Sequence, residues 1–354
     1  MGHGGRRDAR VGEQLRAFAH WLERSRRSPL YVALLHGAAE DFAAGGVVAR
    51  AFEGIAVPPG SVPALRLTAA LHYLVLRGEA PELARFFPSA GGGEAPVRAW
   101  PVAAATLRER LQDVRGRLRR GVQTNEPGRS AGLYGGLLWI SERLGGPLRL
   151  LEIGASAGLN LLCERFAYVV RGESLGSVRS PVRFEEPWRG RPVREPRAAA
   201  RRLQVCARAG CDPRPIDVRA PGARELLLSY VWPDEPDRLA RLGAALALAR
   251  REPPAVERGR ASAWLRRALA EPRAGLSVVL QSVVWQYLPE RERASVTAAI
   301  ERAGARRPLA WLTFEPGADA AERFELAVRT WPGGERTLLA RCGEHGPPIE
   351  WLGR

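Results

Sequence analysis

A short loop near the middle of the chain carries the residues best suited to bind a ligand. The apolar stretch Leu148–Ile153 has the composition of a buried strand. Small residues follow it at alternate positions, namely Gly154, Ser156 and Gly158. Glycines let a backbone turn sharply and approach a ligand closely, and we expect a helix from about residue 157 whose first N–H groups are free donors. With Glu152 as a fixed acceptor, this loop predicts a site for a small polar molecule.

The same loop permits two other interpretations. Gly154 to Gly158 spell G-x-S-x-G, which is the nucleophile elbow of an alpha/beta hydrolase with Ser156 as nucleophile. That alternative needs an acid and then a histidine downstream, and the only histidine after Ser156 is His345. It also needs several strands upstream, where the sequence is typical of helices. In the other interpretation, the glycines form a packing turn that binds no ligand.

Composition places the chain among ordinary globular proteins and sets limits on its partners. It has 354 residues, of which 45% are hydrophobic, and a net charge of +16. All 54 basic residues are arginines, and they alternate with acids, as in 108–110 and 290–293. This is the pattern of solvated helix faces, so we expect no dedicated nucleic-acid surface.

The cysteines and the apolar runs indicate a cytoplasmic protein without a metal. The four cysteines, Cys163, Cys206, Cys211 and Cys342, lack C-x-x-C spacing, and no histidine lies near them at ligand spacing. Neither zinc nor a disulfide framework is therefore expected. The N-terminus has no apolar signal region, and the longest uncharged run, 274–289, is too short to cross a bilayer, so we expect no membrane association.

The first third of the chain predicts helices only. Apolar residues recur at helical spacing through residues 12–87, with Ser28 as a helix cap, and Val102–Arg120 predicts one further, strongly basic helix. We expect an all-helical N-terminal domain over residues 1–121. Four polar residues then precede the first strand, namely Gln123, Asn125, Glu126 and Arg129. They either line a cleft or start a helix with Thr124 or Asn125 as its cap.

From residue 148 onward, short apolar strands alternate with helices, which is typical of a parallel sheet. Besides Leu148–Ile153, the predicted strands are Val278–Val284, Leu309–Phe314 and a weaker one near Val256. At the end of the chain, Phe324–Trp331 and Arg336–Cys342 flank a Pro-Gly-Gly turn and predict a hairpin.

Candidate residues for chemistry lie at the end of the predicted central strand. Open α/β sheets bind ligands outside the carboxyl ends of their strands, where Gln281 and Ser282 are expected, and Tyr287 follows within reach. In the alternative interpretation, the apolar residues around them are core and the polar ones cap a helix.

The E-x-G-x-S-x-G loop resembles the first motif of S-adenosylmethionine-dependent methyltransferases, (D/E)-x-G-x-G-x-G, with Ser156 at the middle glycine. The terminal hairpin resembles the antiparallel pair that closes the sheet of that family. The resemblance implies an α/β fold in which a Rossmann-like methyltransferase sheet with a terminal antiparallel hairpin, over residues 122–354, follows the all-helical domain.

The same resemblance implies roles for individual residues. Gly154, Ser156, Gly158 and the nearby Asn160 would contact the methionine portion of S-adenosylmethionine, with Glu152 near its amino group. An acid after the second strand would bind the ribose hydroxyls. Asp212 is the first candidate, separated from the loop by an insertion over 169–196, and Glu185 competes with it.

Nearly the whole chain resembles an uncharacterised bacterial family, domain-of-unknown-function family 2332. The resemblance lies in blocks at 123–129, 148–162, 210–218, 229–233 and 282–289. This family is itself assigned to the methyltransferase-like fold. Members of this family often have an acid at the position of Arg260 and commonly a histidine at the position of Gln281. Glutamine can orient a substrate, but unlike histidine it cannot accept a proton at neutral pH. The ligand could therefore be a nucleotide other than S-adenosylmethionine, since the Arg260 side chain can stack on adenine or pair with a phosphate.

Together these observations predict a methyltransferase-like protein that binds S-adenosylmethionine and a small-molecule or other acceptor. Gln281, Ser282 and Tyr287 would lie near the acceptor, whose identity does not follow from the sequence, and neither does the oligomeric state. Methyl transfer from a sulfonium mainly requires alignment and exclusion of water, so a strong base is not obligatory. The alternative is a noncatalytic binding or regulatory protein that has kept the fold.

Overall fold

A computed structural model describes residues 4–58, 60–270, 274–317 and 323–353. The chain divides into two compact units. The first, here called the helical unit, comprises residues 1–124 together with 221–240. The second, here called the sheet unit, comprises residues 125–220 and 241–354. Residues 221–240, which the sequence analysis placed with the sheet, are thus grouped with the N-terminal helices.

The described residues form thirteen α-helices: α1 (Gly4–Arg24), α2 (Pro29–Ala43), α3 (Val47–Phe52), α4 (Pro63–Leu76), α5 (Pro81–Ala84), α6 (Ala99–Glu109), α7 (Leu111–Arg120), α8 (Ser130–Leu144), α9 (Pro196–Arg202), α10 (Ala223–Leu228), α11 (Pro236–Arg251), α12 (Ala261–Ala270) and α13 (Glu290–Gly304). Five short 3-10 helices accompany them: Pro88–Ala90, Pro96–Arg98, Pro127–Arg129, Leu159–Arg165 and Trp285–Tyr287.

The described strands are β1 (Leu148–Ile153), β2 (Ala167–Val170), β3 (Glu173–Gly176), β4 (Arg183–Glu185), β5 (Trp188–Arg189), β6 (Val205–Asp212), β7 (Val256–Arg258), β8 (Leu276–Ser282), β9 (Leu309–Pro316), β10 (Phe324–Trp331), β11 (Glu335–Gly343) and β12 (Gly346–Trp351). The fold class is therefore mixed α/β, with a helical N-terminal region.

The helical unit agrees with the helices predicted over residues 12–87 and corrects two details. Ser28 makes no side-chain cap hydrogen bond, and its backbone carbonyl accepts from Val32 N–H instead. The single helix expected over Val102–Arg120 is wrong, because the chain breaks at Arg110 into α6 and α7. The first half, α6, packs on α2, the second half, α7, packs on α4, and both contact α3.

Residues 221–240 complete the core of the helical unit. Trp232, 8% exposed, joins the apolar cluster of the N-terminal helices. Its ring centroid lies 6.5 Å from that of Tyr31, and the Arg27 guanidinium lies 4.5 Å from the Trp232 ring centroid. Such an aromatic anchor carries no local periodic signal, so the sequence did not indicate this grouping.

A nine-stranded sheet forms the centre of the second unit, in the order β5-β12-β11-β10-β9-β8-β1-β6-β7. The five strands from β9 to β7 are parallel to one another. All six residues of β1 are buried, since β6 and β8 flank it and side chains cover both faces. This confirms the strands predicted near 148, 256, 278 and 309.

Antiparallel strands extend the sheet beyond β9. The predicted hairpin is confirmed as β10 and β11, and β12 adds a third antiparallel strand, followed by the two-residue β5 in parallel. The segment suspected of being an insertion before Asp212 contains a separate small sheet of order β3-β2-β4. Among the described residues, no helix combines the length and apolar character that crossing a membrane would require.

Candidate functional site

The loop after β1 adopts the sharp turn that its composition predicts. Gly154, Ser156 and Gly158 have φ angles of +67°, +53° and +76°. A Cβ atom at Gly154 would overlap the side chain of Val284, and one at Gly158 would lie 2.7 Å from Pro254 Cβ. Both glycines are therefore required by conformation and by close packing. Ser156 takes the left-handed conformation that glycine would adopt without strain.

The helix expected from about residue 157 is wrong. The segment Leu159–Arg165 is a 3-10 helix, and β2 follows almost directly at Ala167, so no room remains for a longer α-helix. The first N–H group, that of Leu159, donates to Asn125 Oδ1 at 3.0 Å. The sequence analysis expected the N–H groups at the start of this helix to donate to a ligand. At least one of them donates to a side chain of the protein instead.

Asp212 holds the loop in place from the end of β6. Its Oδ2 accepts from the N–H of Ser156 at 3.0 Å, and its Oδ1 accepts from the N–H of Arg214 at 2.8 Å. The carboxylate is 7% exposed. The competing candidate, Glu185, lies on β4 of the small sheet, where its exposed side chain pairs with Arg183. Of the two acids, Asp212 is the one beside the glycine loop.

Glu152 is a buried carboxyl group at the end of β1. Its side chain is 2% exposed, and burial, reinforced by the nearby charge of Asp212, raises its pKa to about 8 despite a hydrogen bond to Asn160 and the charge of Arg129. Asn160 Oδ1 in turn accepts from Ser130 Oγ at 2.8 Å. Glu152 Oε2 has no hydrogen-bond partner among the described residues. Such a group requires a compensating donor or cation.

The polar residues before α8 lie near Glu152 and the glycine loop. Arg129, 8% exposed, donates from Nε to the carbonyl oxygen of Glu344 at 3.2 Å, and its Nη1 lies 3.5 Å from Ser282 Oγ. Glu126 Oε1 accepts from the N–H of Gly128 at 2.8 Å and so caps the 3-10 helix Pro127–Arg129. Glu126, and neither Thr124 nor Asn125, therefore caps the start of this segment.

Gln281 lies at the carboxyl end of β8, in register with Ile153 of β1. It is 2% exposed, and both ends of its amide are used. Its Nε2 donates to Glu315 Oε1 at 3.0 Å, and its Oε1 accepts from Trp311 Nε1 at 3.0 Å. Gln281 thus connects the glycine-loop side of the sheet to β9, as part of a hydrogen-bonded network.

Glu315, on β9, is a site residue that the sequence analysis missed. Its Oε1 also accepts from the N–H groups of Val284 and Trp285 at 3.1 and 3.2 Å, and burial raises the pKa of its carboxyl group. These bonds hold a turn in which Val283 has φ +53°, a strained conformation for a β-branched residue. The available signal was an acid directly after the predicted strand Leu309–Phe314.

An open cleft of about 410 Å³ lies beside this turn, on the face of the sheet that carries Gln281 and Glu315. Trp285 and Trp311 line it, with ring centroids 5.6 Å apart. Tyr287 is 62% exposed, and Ser282 lies beside Arg129 instead of lining the cleft. The three residues expected near an acceptor therefore have different surroundings.

Two further residues from the sequence analysis have local partners. Arg260 Nη2 pairs with Glu292 Oε2 at 2.7 Å, and Glu292 Oε1 accepts from Ser262 N–H at the start of α12. Although burial opposes ionisation, these contacts lower the pKa of Glu292. His345 Nε2 lies 2.9 Å from Glu344 Oε1. Arg260 thus has an acidic partner on α13.

The chain matches one known protein family. A family model described as "Uncharacterized protein conserved in bacteria (DUF2332)" matches residues 12–351. The chain belongs to this family. No curated protein and no solved structure matches it. The family description names no reaction, so inferences about function rest on the geometry of the sheet unit.

Proposed function

We propose that this family member binds S-adenosylmethionine at the carboxyl ends of β1 and β6 and transfers its methyl group to a small acceptor. The observation that carries the proposal is the unpartnered Glu152 Oε2, buried at the end of the central strand. The α-ammonium group of the cofactor would supply the hydrogen-bond donor that Oε2 lacks.

The strand order supports this location. The parallel part runs β7-β6-β1-β8-β9, so the chain passes from β1 outward to β6 and β7 and then crosses to the other side of β1 to form β8 and β9. This is the order of a Rossmann-like sheet, in which ligands bind where the direction of the strand order changes. Glu152, Asp212 and Gln281 all lie at or near the carboxyl ends of strands around that point.

Each candidate residue has a role that its geometry allows. Gly154 and Gly158 allow the sharp turn of the loop. Asp212 holds that turn through the N–H of Ser156 and would place a carboxylate at the end of β6, where it could accept from a ribose hydroxyl. Arg129 is a buried cation that acts electrostatically on Glu152 and lies 3.5 Å from Ser282 Oγ. When bound, S-adenosylmethionine supplies a methyl group activated by its sulfonium, so the chain needs only to align an acceptor and exclude water.

Calorimetry tests the proposal with a matched pair of variants. The wild-type protein should bind S-adenosylmethionine and S-adenosylhomocysteine, and Glu152→Gln should weaken both by more than about tenfold, since a charge-assisted bond contributes about 1.5–3 kcal/mol. Glu185→Gln, an exposed acid of the small sheet, should leave both affinities unchanged. Absence of binding at millimolar ligand, or equal affinities for Glu152→Gln and the wild type, would refute the proposal.

A noncatalytic binding protein is the second candidate, and Gln281 favours it. The Gln281 amide is held at both ends and cannot accept a proton. This candidate predicts binding of S-adenosylmethionine without methyl transfer to any of a panel of small acceptors, which a radiolabelled methyl assay measures.

The serine hydrolase alternative finds less support. Ser156 has the positive φ of a strained turn, yet it is only 2% exposed, whereas a nucleophile elbow presents its hydroxyl group at the surface of the site. Labelling by a fluorophosphonate that disappears in Ser156→Ala would establish this alternative instead.

A further inference from the structure

Three side chains of the helical unit, far in sequence from the glycine loop, have the chemistry of a metal site. His20 and Glu23 lie one turn apart on α1, and His36 lies on α2, which packs against α1. Their ligand atoms all lie within 4.8 Å of one another. The sequence analysis excluded zinc from cysteine and histidine spacing alone, and such spacing does not reveal a third ligand contributed by a neighbouring helix.

The distances within this trio suit a shared ion better than direct contact. Glu23 Oε2 lies 3.5 Å from His20 Nδ1 and 3.7 Å from His36 Nε2, at or beyond the limit of a hydrogen bond. Ligands bound to zinc at roughly 2.1 Å in a tetrahedron lie about 3.4 Å from one another. Small side-chain movements would therefore bring all three donors onto one ion.

The donor set also selects the kind of ion. Two imidazole nitrogens and one carboxylate oxygen are typical of divalent transition metals, whereas Ca²⁺ and Mg²⁺ prefer oxygen ligands only. The two rings are edge to face with centroids 5.1 Å apart, and both remain partly accessible, with side-chain exposures of 55% for His20 and 35% for His36. An ion can thus reach the site from solvent, and water can occupy its fourth position.

We infer that His20, Glu23 and His36 form a three-ligand binding site for a divalent transition ion of the Zn²⁺ type, which joins α1 to α2. Because the ligands come from two helices, the ion binds the folded helical unit more tightly than the unfolded chain and stabilises it. None of the three ligands belongs to the sheet unit, in which S-adenosylmethionine binding is proposed.

Zinc titration of the untagged, full-length protein tests the inference. We expect about one Zn²⁺ per chain and a thermal transition that moves upward with zinc concentration. His36→Ala and Glu23→Gln should each lower the affinity by more than about tenfold, because even the loss of an outer-shell partner costs 10–100-fold. Both positions are partly exposed on helices, so the variants should fold, which far-UV circular dichroism checks.

The control is His345→Ala. His345 also contacts an acid, Glu344, but belongs to no three-ligand group among the described residues, so its replacement should leave zinc affinity unchanged. Failure to bind zinc at 100-fold molar excess, or equal affinity in His36→Ala and the wild type, would overturn the inference. Retained affinity in Glu23→Gln with loss in His36→Ala would also overturn the three-ligand site.

Discussion

At the scale of single residues, the burial of the Glu152 carboxyl group bears on both stability and the proposed ligand binding. Its carboxyl group is 2% exposed, its pKa is about 8, and one of its oxygens lacks a partner among the described residues. A fold selected for stability alone would replace such a group with a neutral or apolar one. Its cost to stability therefore supports the proposed role in binding, and that cost is measurable separately from binding.

Replacing Glu152 with glutamine should stabilise the protein at alkaline pH. The folded-state pKa, about 8, lies above the ordinary value of 4.5, so the folded form holds its proton while the unfolded chain loses it. The stabilising contribution is full below pH 4.5 and is lost as the pH rises toward 8. Glu152→Gln has no such proton, so at pH 8 its free energy of unfolding should exceed that of the wild type by on the order of 4 kcal/mol.

Urea denaturation at pH 5 and pH 8 measures this difference. The two proteins should be closer in stability at pH 5 than at pH 8. A Glu152→Gln variant that is less stable than the wild type at pH 8 would contradict the prediction and indicate that the ionised carboxylate stabilises the fold. Gain of stability together with loss of S-adenosylmethionine affinity would identify Glu152 as a binding residue.

Among the elements, the two turns that follow β1 and β8 depend on each other. Gly154 leaves room for Val284, and Glu315 of β9 holds the N–H groups of Val284 and Trp285. Each turn contains a non-glycine residue with positive φ, Ser156 in one and Val283 in the other. Strained backbone at the ends of central strands persists only where neighbouring groups fix it.

A double-mutant cycle between Glu315 and Val283 tests this dependence. Glu315→Ala leaves three donors without their acceptor and should lower the free energy of unfolding by about 2–4 kcal/mol. Val283→Gly relieves strain only while Glu315 holds the turn, so its effect should be about 1 kcal/mol more favourable in the wild type than in Glu315→Ala. Glu315→Gln, which keeps an acceptor oxygen, is the control. Effects that simply add would show that the turn is not held by Glu315.

Local patterns made the elements predictable, and long-range contacts limited the prediction of the site. The strand Leu148–Ile153 and the terminal hairpin follow from apolar runs and turn residues, and both are confirmed. The turn held by Glu315 depends on hydrogen bonds between residues about 30 positions apart, which no local pattern encodes. The helix expected from about residue 157 is a short 3-10 helix instead, because β2 begins too soon for a longer one to form.

At the scale of the whole molecule, each unit has a buried titratable group that is neutral in the folded state, a histidine in one and a glutamic acid in the other. His72 in the helical unit is fully buried, and burial lowers its pKa to about 4 despite hydrogen bonds that involve Ser229 and Val231. It therefore remains neutral in the folded state at pH values where the unfolded chain binds a proton. Glu152 in the sheet unit keeps a proton that the unfolded chain releases. The helical unit should thus be sensitive to acid, and the sheet unit to base.

Thermal unfolding followed across pH should reveal this contrast. As the pH falls from 6.5 to 4, the His72 contribution is lost, and the helical unit should be destabilised by on the order of 3 kcal/mol. In His72→Gln, which has no titrating ring, that acid sensitivity should be reduced, while in Glu152→Gln the loss of stability between pH 5 and pH 8 should be reduced. His345→Gln, at a partly exposed histidine of the sheet unit, serves as the control for the histidine variant. Acid sensitivity that is unchanged in His72→Gln would mean that another group of the helical unit, and not this buried imidazole, takes up the proton.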